Sequence, residues 1–281
     1  MTERRTNSEI PLPTSKLILI DLDKTLLVGG SYEINDDRIY AEITRVQSLG
    51  WQIGLSSDTA LEPLLVWKKI FGMNGPTIAE KGAVIQLTEG REFGMQEALS
   101  FFSELKNNFS KYLIDNKIPY LFGDVTQFLR NKPVLKDMVE QRLVLLQAYR
   151  RSSLNFYGRV IDDNGILQID NNLTSTLVDI TRKFVGGQPP FEMNEDFNPE
   201  YGIYILAPKL VNKRFGTLAL IKKLGIEKVG MIGDSSSDIL GKDISFHYAV
   251  GNAQEALKSI SDYSAVQEYT HGVVEILSQI K

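Results

Sequence analysis

Hydrophobic and polar positions along this chain fall into short apolar runs, two of which end abruptly in acid. Leu17-Ile18-Leu19-Ile20 is uninterrupted and stops at Asp21, with Asp23 and Thr25 at the next alternate positions. The stretch 228–238, KVGMIGDSSSD, does the same: an apolar run halts at Asp234, and Asp238 stands four residues on. Runs of this kind read as strands buried on both faces, because a strand with one wet face alternates. After the first acidic loop, Ile39, Ile43, Val46 and Leu49 recur at helical spacing, with Asp36 or Asp37 as cap and Gly50 as stop. Trp51 to Ser57 then reads as a strand, Leu61 to Phe71 as a helix with Pro63 in its first turn and Gly72 at its end, and Pro76 to Leu87 as a short apolar segment. Strand alternating with helix predicts a parallel sheet covered on both faces.

From about Thr88 the rhythm changes. Helices are predicted near Gln96 to Leu113, Leu135 to Tyr149 and Leu173 to Phe184, and strands near Leu154 to Ile161, Ile166 to Ile169 and Tyr201 to Ala207. Asn164-Gly165 marks a hairpin turn, and 188–199 reads as a proline-bearing loop. The alternation resumes with a helix from Phe215 to Leu224, the strand before Asp234, a helix from Ser236 to Ile244, a strand from Tyr248 to Gly251 and a C-terminal helix from Val273 to Ile280. The expected architecture is α/β, a Rossmann-like parallel sheet core with helices on both faces, plus an inserted α+β domain. Residues 1–15 are expected to form a mobile tail, 16–83 and 210–281 the core, and 84–209 the insertion.

Composition narrows the function. The chain has 281 residues, 43% hydrophobic and 23% charged, enough for one large domain or two smaller ones. Its formal net charge of -4 lacks the positive field of a general nucleic-acid binder, so no nucleic-acid partner is expected. No stretch approaches the roughly 18 consecutive apolar residues of a membrane span, and the first residues contain no hydrophobic signal core. Cysteine is absent, which removes disulfides, thiolate metal sites and cysteine nucleophiles and fits a cytoplasmic address.

Carboxylates are costly to desolvate, so a pair at the end of an apolar strand implies a cation, a proton to be moved, or both. A calcium loop is excluded by spacing: its sixth position would be Leu26 instead of glycine, and its twelfth Tyr32 instead of glutamate. A dinucleotide fold is disfavoured because no G-x-G-x-x-G follows the first strand. Asp21-Leu22-Asp23-Lys24-Thr25-Leu26 resembles the first motif, D-x-D-x-T-L, of the haloacid dehalogenase superfamily of phosphohydrolases. Ser56 at the end of the second strand, Lys213 at the start of a helix, and Gly233-Asp234 with Asp238 are similar to its other three motifs, in the right order. The insertion resembles the large cap of the sugar-phosphatase and Cof-type branch, which includes sucrose-phosphate and mannosyl-phosphoglycerate phosphatases. Glu80-Lys81-Gly82-Ala83 is similar to the turn that leads into that cap, and Gly251-Asn252-Ala253 to the segment after the last active-site strand.

The resemblance implies a nucleophile in Asp21 and, in Asp23, a proton donor to the departing alcohol that later takes a proton from water. Asp23 then needs a pKa above its ordinary value of about 3.9. Mg2+ would be held by Asp21, the backbone carbonyl of Asp23 and Asp234. Ser56 and Ser57 would hold phosphoryl oxygens while Lys213 neutralises charge, with Thr25, Asp238 and Asn252 in support. Asp238 is expected to orient a metal-bound water or Lys213. Two departures, Ser57-Asp58 where sugar-phosphatase relatives often have Gly-Arg and Arg214 where glycine is common, weaken any transfer of substrate identity. The implied activity is Mg-dependent hydrolysis of a small phosphorylated metabolite, a sugar phosphate or phosphoglycerate derivative, by a monomer or homodimer. Phosphoglycolate hydrolysis, a phosphomannomutase-like transfer and a noncatalytic phosphate-binding scaffold are the alternatives. His247 and His271 read as packing or surface residues, since a metal site would need further ligands.

Overall fold

The computed structural model describes residues 10–29, 33–186 and 189–281, apart from the side chains of Thr126 and Arg130. In chain order, the first segment contains β1 (Leu17–Ile20), α1 (Arg38–Ser48), β2 (Gln52–Ser56), α2 (Leu61–Ile70), β3 (Thr77–Ala79), β4 (Val84–Gln86) and β5 (Glu92–Gly94). The middle segment contains α3 (Gln96–Asp115), β6 (Tyr120–Gly123), α4 (Val125–Arg130), β7 (Arg142–Gln147), β8 (Leu154–Ile161), β9 (Leu167–Ile169), α5 (Asn171–Val185), β10 (Met193–Asn198) and β11 (Ile203–Pro208). The last contains α6 (Lys213–Leu224), β12 (Val229–Gly233), β13 (Ser245–Ala249), α7 (Glu255–Lys258), β14 (Tyr263–Ser264) and α8 (Tyr269–Ser278). Two compact units result: Met1–Gly94 with Asn212–Lys281, and Met95–Val211.

The first unit is built on a sheet of order β14-β13-β12-β1-β2-β3-β4-β5, parallel from β14 to β3 and antiparallel at the β3-β4-β5 edge. Every residue of β1 and of β12 is buried, so both faces are covered there, as the unbroken apolar runs require. On one face Leu17, Leu19, Val229 and Met231 pack against Leu220 of α6. Because β1 lies between β2 and β12, the chain reverses its direction of travel across the sheet here, the point at which open α/β sheets bind ligands beyond their strands' carboxyl ends.

The second unit is an α+β layer with strand order β10-β11-β8-β7-β6, and β9 paired to β8. Its core joins Phe102, Leu105 and Phe109 of α3, Leu173 and Leu177 of α5, and Val144, Leu146, Leu154, Phe156, Tyr204 and Leu206 of the sheet. Among the described residues, no helix is long and apolar enough to cross a membrane.

Several elements differ from expectation. Leu135 to Tyr149 is not a helix: a short 3-10 turn at Lys136–Met138 precedes β7. Leu143-Val144-Leu145-Leu146 is buried throughout, Val144 and Leu146 in the core just described and Leu143 and Leu145 in a second cluster with Val125 and Ile161. A four-residue apolar run buried on both sides has no period with which to separate strand from helix. The loop expected over 188–199 holds β10, a polar strand paired with β11, while Gln188 itself lies outside the described residues. Ser236 to Ile244 makes one 3-10 turn at Ser236–Asp238, and Gly241 then takes φ +92°. Residues 1–9 of the expected mobile tail lie outside the described residues, but 10–15 are docked on the core. Ile10 is buried, Tyr248 donates to the Pro11 carbonyl at 2.6 Å, and Ser15 donates to the Lys228 carbonyl at 2.6 Å. The first division between units falls at Gly94, not Ala83, because β4 and β5 extend the large sheet as a hairpin.

Candidate active site

Asp21 is the first residue beyond β1, and its amide donates to the Ile232 carbonyl of β12 at 2.9 Å. Asp234 is the first residue beyond β12, so parallel pairing of the two strands delivers two carboxylates to one edge. Asp238 comes back beneath them from the 3-10 turn. Its Oδ2 accepts from the Asp234 and Ser235 amides at 3.2 and 3.0 Å and from the Ser235 hydroxyl at 3.1 Å. A Cβ on residue 233 would lie 2.3 Å from the Asp238 Cγ, so glycine before Asp234 makes room for this return. Lys213 opens α6, capped by Asn212, whose side chain accepts from the Phe215 amide at 2.8 Å.

The four groups converge. Lys213 Nζ lies 2.6 Å from Asp21 Oδ1 and 2.6 Å from Asp238 Oδ1, and all three side chains are buried. Asp21, Asp234 and Asp238 each offer a carboxylate oxygen within 4.8 Å of the others. Burial alone would lower the pKa of the Lys213 ammonium, but Asp21 and Asp238 outweigh it and raise that pKa above its ordinary value. Burial, with Asp238 and Asp234 alongside, pushes Asp21 well up despite the pull of Lys213. Asp234 is raised by burial and by Asp238, against the Thr25 hydroxyl, which donates to its Oδ1 at 3.2 Å.

This charge balance tests the fit of a metal. Three buried carboxylates face one ammonium, and Asp21 and Asp234 bring carboxylate oxygens within 4.8 Å of one another, a crowding of like charge that a proton or a cation relieves. Both oxygens of Asp238 are occupied, one by Lys213 and one by amides. Asp21 and Asp234 are therefore the side chains disposed toward a hard, oxygen-seeking divalent cation, and the donor set fits Mg2+.

Around this centre, the Ser56 hydroxyl at the end of β2 is fully buried and has no hydrogen-bond partner among the described residues. Such an orphan is costly, and a bound oxyanion would offset it. Ser57 differs: its amide donates to the Ile78 carbonyl at 2.9 Å and its hydroxyl to Thr59 Oγ1 at 3.2 Å, so both donors are already engaged. Asp23 is half-buried outside the three-carboxylate group, and its Oδ2 accepts from Thr59 Oγ1 at 3.4 Å. Asn252 donates to the Lys24 carbonyl at 2.8 Å and accepts from the Tyr269 amide at 2.8 Å. His247 accepts from the Leu240 amide at 2.9 Å as a buried packing residue, and His271 pairs with Asp36 at 2.7 Å, away from the carboxylates' own partners. Thr59 and Thr270 were not anticipated from the sequence, where an isolated threonine outside a spaced motif carries no signal.

The class defined by fold and site is a doubly wound α/β protein with acid at two adjacent strand ends, a buried lysine between them and an α+β insertion. The family described as haloacid dehalogenase-like hydrolase matches residues 18–277, and the chain belongs to it. The chain is 26% identical over 269 residues to phosphoglycolate phosphatase 1 of Saccharolobus solfataricus, covering 94% of this chain and 95% of that one. A phosphoglycolate phosphatase of Sulfolobus acidocaldarius is also 26% identical, over 271 residues, covering 94% and 96%. Among solved structures, a haloacid dehalogenase-like hydrolase from Bacteroides thetaiotaomicron superposes with a TM-score of 0.62 at 18% identity, covering 94% of this chain and 99% of that one.

Proposed function

We propose that the protein is a magnesium-dependent phosphomonoesterase that hydrolyses a small phosphorylated metabolite, a sugar phosphate or phosphoglycerate derivative, through an aspartyl-phosphate intermediate. The observation that carries this reading is the Lys213 ammonium held at 2.6 Å from both Asp21 and Asp238, with Asp234 alongside. Asp21 attacks phosphorus while the bond to the departing alcohol breaks, and Asp23 supplies the proton that alcohol needs. Water then opens the acyl phosphate and gives its proton to Asp23, which restores both carboxyl groups. Lys213 pulls Asp21 toward its ionised form against the burial that raises it and faces the phosphoryl oxygens, and Ser56 donates to one of them. Asp238 orients Lys213. Mg2+, held by Asp21, Asp234 and the backbone carbonyl of Asp23, would supply Lewis-acid neutralisation of the phosphoryl charge. Ser57 is left out of the phosphate set because its donors are engaged.

A second reading, phosphoglycolate as the substrate, is favoured by relatives of that name, two of them given above. A phosphate-release panel of p-nitrophenyl phosphate, sugar phosphates, 2-phosphoglycolate and phosphoglycerate derivatives, run with Mg2+ and no bisphosphate activator, tests both readings and separates hydrolysis from mutase chemistry. Turnover is expected to vanish with EDTA, to return on adding Mg2+, and to be absent in Asp21→Asn while that variant unfolds at an unchanged temperature. Full activity in folded Asp21→Asn would overturn the mechanism.

A further inference from the structure

We infer that Thr270 and Asn252 are positioning residues for the proton-transfer carboxylate, gripping from the C-terminal part of the chain the two backbone carbonyls that flank Thr25. The inference rests on the reading of Asp23 given above. The loop after β1 gathers its own amides inward: those of Thr25, Leu26 and Leu27 donate to the single carbonyl of Leu22 at 3.4, 3.0 and 3.0 Å. Lys24 takes φ +62°, a conformation that few non-glycine residues hold without support. With the amides drawn to Leu22, the carbonyls of Lys24 and Leu26 must find partners elsewhere. They find them on segments more than two hundred residues away. Asn252 Nδ2 donates to Lys24 O at 2.8 Å, and Thr270 Oγ1 donates to Leu26 O at 2.7 Å across a sequence separation of 244.

Neither anchor is free to drift. Thr270 is fully buried on the first turn of α8, and its oxygen also accepts from the Asn35 amide at 3.4 Å. The side-chain Oδ1 of Asn252 accepts from the Tyr269 amide, so the adjacent residues Tyr269 and Thr270 hold both grips at once. Asp23 precedes one anchored carbonyl directly, and Thr25, whose hydroxyl reaches Asp234, sits between the two. Releasing either carbonyl is expected to turn the Asp23 side chain away from a leaving oxygen, whereas Asp21, pinned by β12 and by Lys213, stays in place.

That division gives a readout that general destabilisation does not move. Proton donation matters for an alkyl phosphate, whose alkoxide is a poor leaving group, and far less for p-nitrophenyl phosphate, whose phenolate leaves unaided. Thr270→Val keeps the shape and removes the donor. It should lower kcat/KM for the fastest alkyl phosphate of the panel by about ten- to a hundredfold while changing p-nitrophenyl phosphate by no more than about threefold, since misplacement of about 1 Å can cost a hundredfold. Thr270→Ser, which retains the hydroxyl, should restore the alkyl ester, and Asn252→Asp, which keeps the acceptor for Tyr269 but loses the donor to Lys24, should reproduce the selective loss. Equal losses on both esters, or none, would overturn the inference. Asp23→Asn run in parallel keeps the two readings apart: if it lacks the selective loss, the assignment of Asp23 fails, and if it shows the loss while Thr270→Val and Asn252→Asp do not, only the positioning role fails.

Discussion

Asp36 concentrates several partners on one buried carboxylate. Arg38 approaches it through Nε, Nη2 and its own amide at 2.6–3.1 Å, and His271 Nδ1 lies 2.7 Å from Oδ2. The hydrogen bonds from Arg38, aided by that from His271, hold the carboxyl well below the usual carboxylate range. A depressed folded-state pKa contributes stability that is complete above the unfolded value of about 4 and is lost as pH falls below it. Asp36→Asn should therefore be less stable than the parent by on the order of 1 kcal/mol at neutral pH, a figure discounted because the Arg38 guanidinium is solvated. In urea titrations the gap should close on acidification, and a gap that widens below pH 4 would refute the assignment. At this scale the sequence was most legible where spacing was redundant. Asp21, Thr25, Asp234 and Asp238 lie at strand ends that the apolar runs announce, and the structure brings them and Lys213 into contact. Thr270 shows the limit, being a lone polar residue whose acceptor lies at the other end of the chain.

Among the elements, the turn linking β3 to β4 has the most unusual backbone. Glu80, Lys81 and Gly82 take φ of +50°, +59° and +111° in succession. The Glu80 and Lys81 amides are tied to the Thr59 and Ser57 carbonyls at 3.1 and 3.2 Å, and Gly82 lies against Gly216 of α6, the helix that carries Lys213. A Cβ on residue 216 would stand 2.5 Å from Gly82 Cα and 2.9 Å from Ile78 Cγ2. In an open helix Gly→Ala gains about 1 kcal/mol. Here Gly216→Ala should instead destabilise by roughly 1–3 kcal/mol through overpacking, as measured by chemical denaturation. A stabilised variant would show that the two backbones are free to part. Helix α6 was legible in the sequence, with Gly225 ending it in a left-handed conformation, whereas β7 and β10 were not. The residues of β7 are apolar on both sides, and β10 displays Asn194, Glu195 and Asp196 at an edge where pairing with β11, not side-chain burial, makes the strand. The helix expected after Asp234 starts with a capping box, the Asp238 carboxylate accepting from the Ser235 amide, but stops after one 3-10 turn where Ile239 turns extended and Gly241 takes a positive φ.

Across the whole molecule, the break in rhythm near Thr88 marked the insertion, but its edge was set by pairing that no local pattern announces. The three-residue strands β4 and β5 add to β3 antiparallel and so belong to the large sheet. The inserted unit has its own core, in which Phe156 stacks on Phe109 at 4.9 Å and lies 5.1 Å from Tyr204. Phe156→Ala should cost about 3–5 kcal/mol within that unit. Native-state hydrogen exchange should show faster amides in β7, β8 and β11 with β1 and β12 unchanged, and parallel losses in β1 would mean that the two cores do not act as separate stability units. The pairing of β1 with β12, next to the Ser15 bond to Lys228 across 213 residues, has a temporal consequence. As the polypeptide emerges from the ribosome, Leu17 to Ile20 wait for a partner translated at ~5–20 residues per second, so for tens of seconds one edge of the most apolar strand stands open to chaperones and to neighbouring nascent chains.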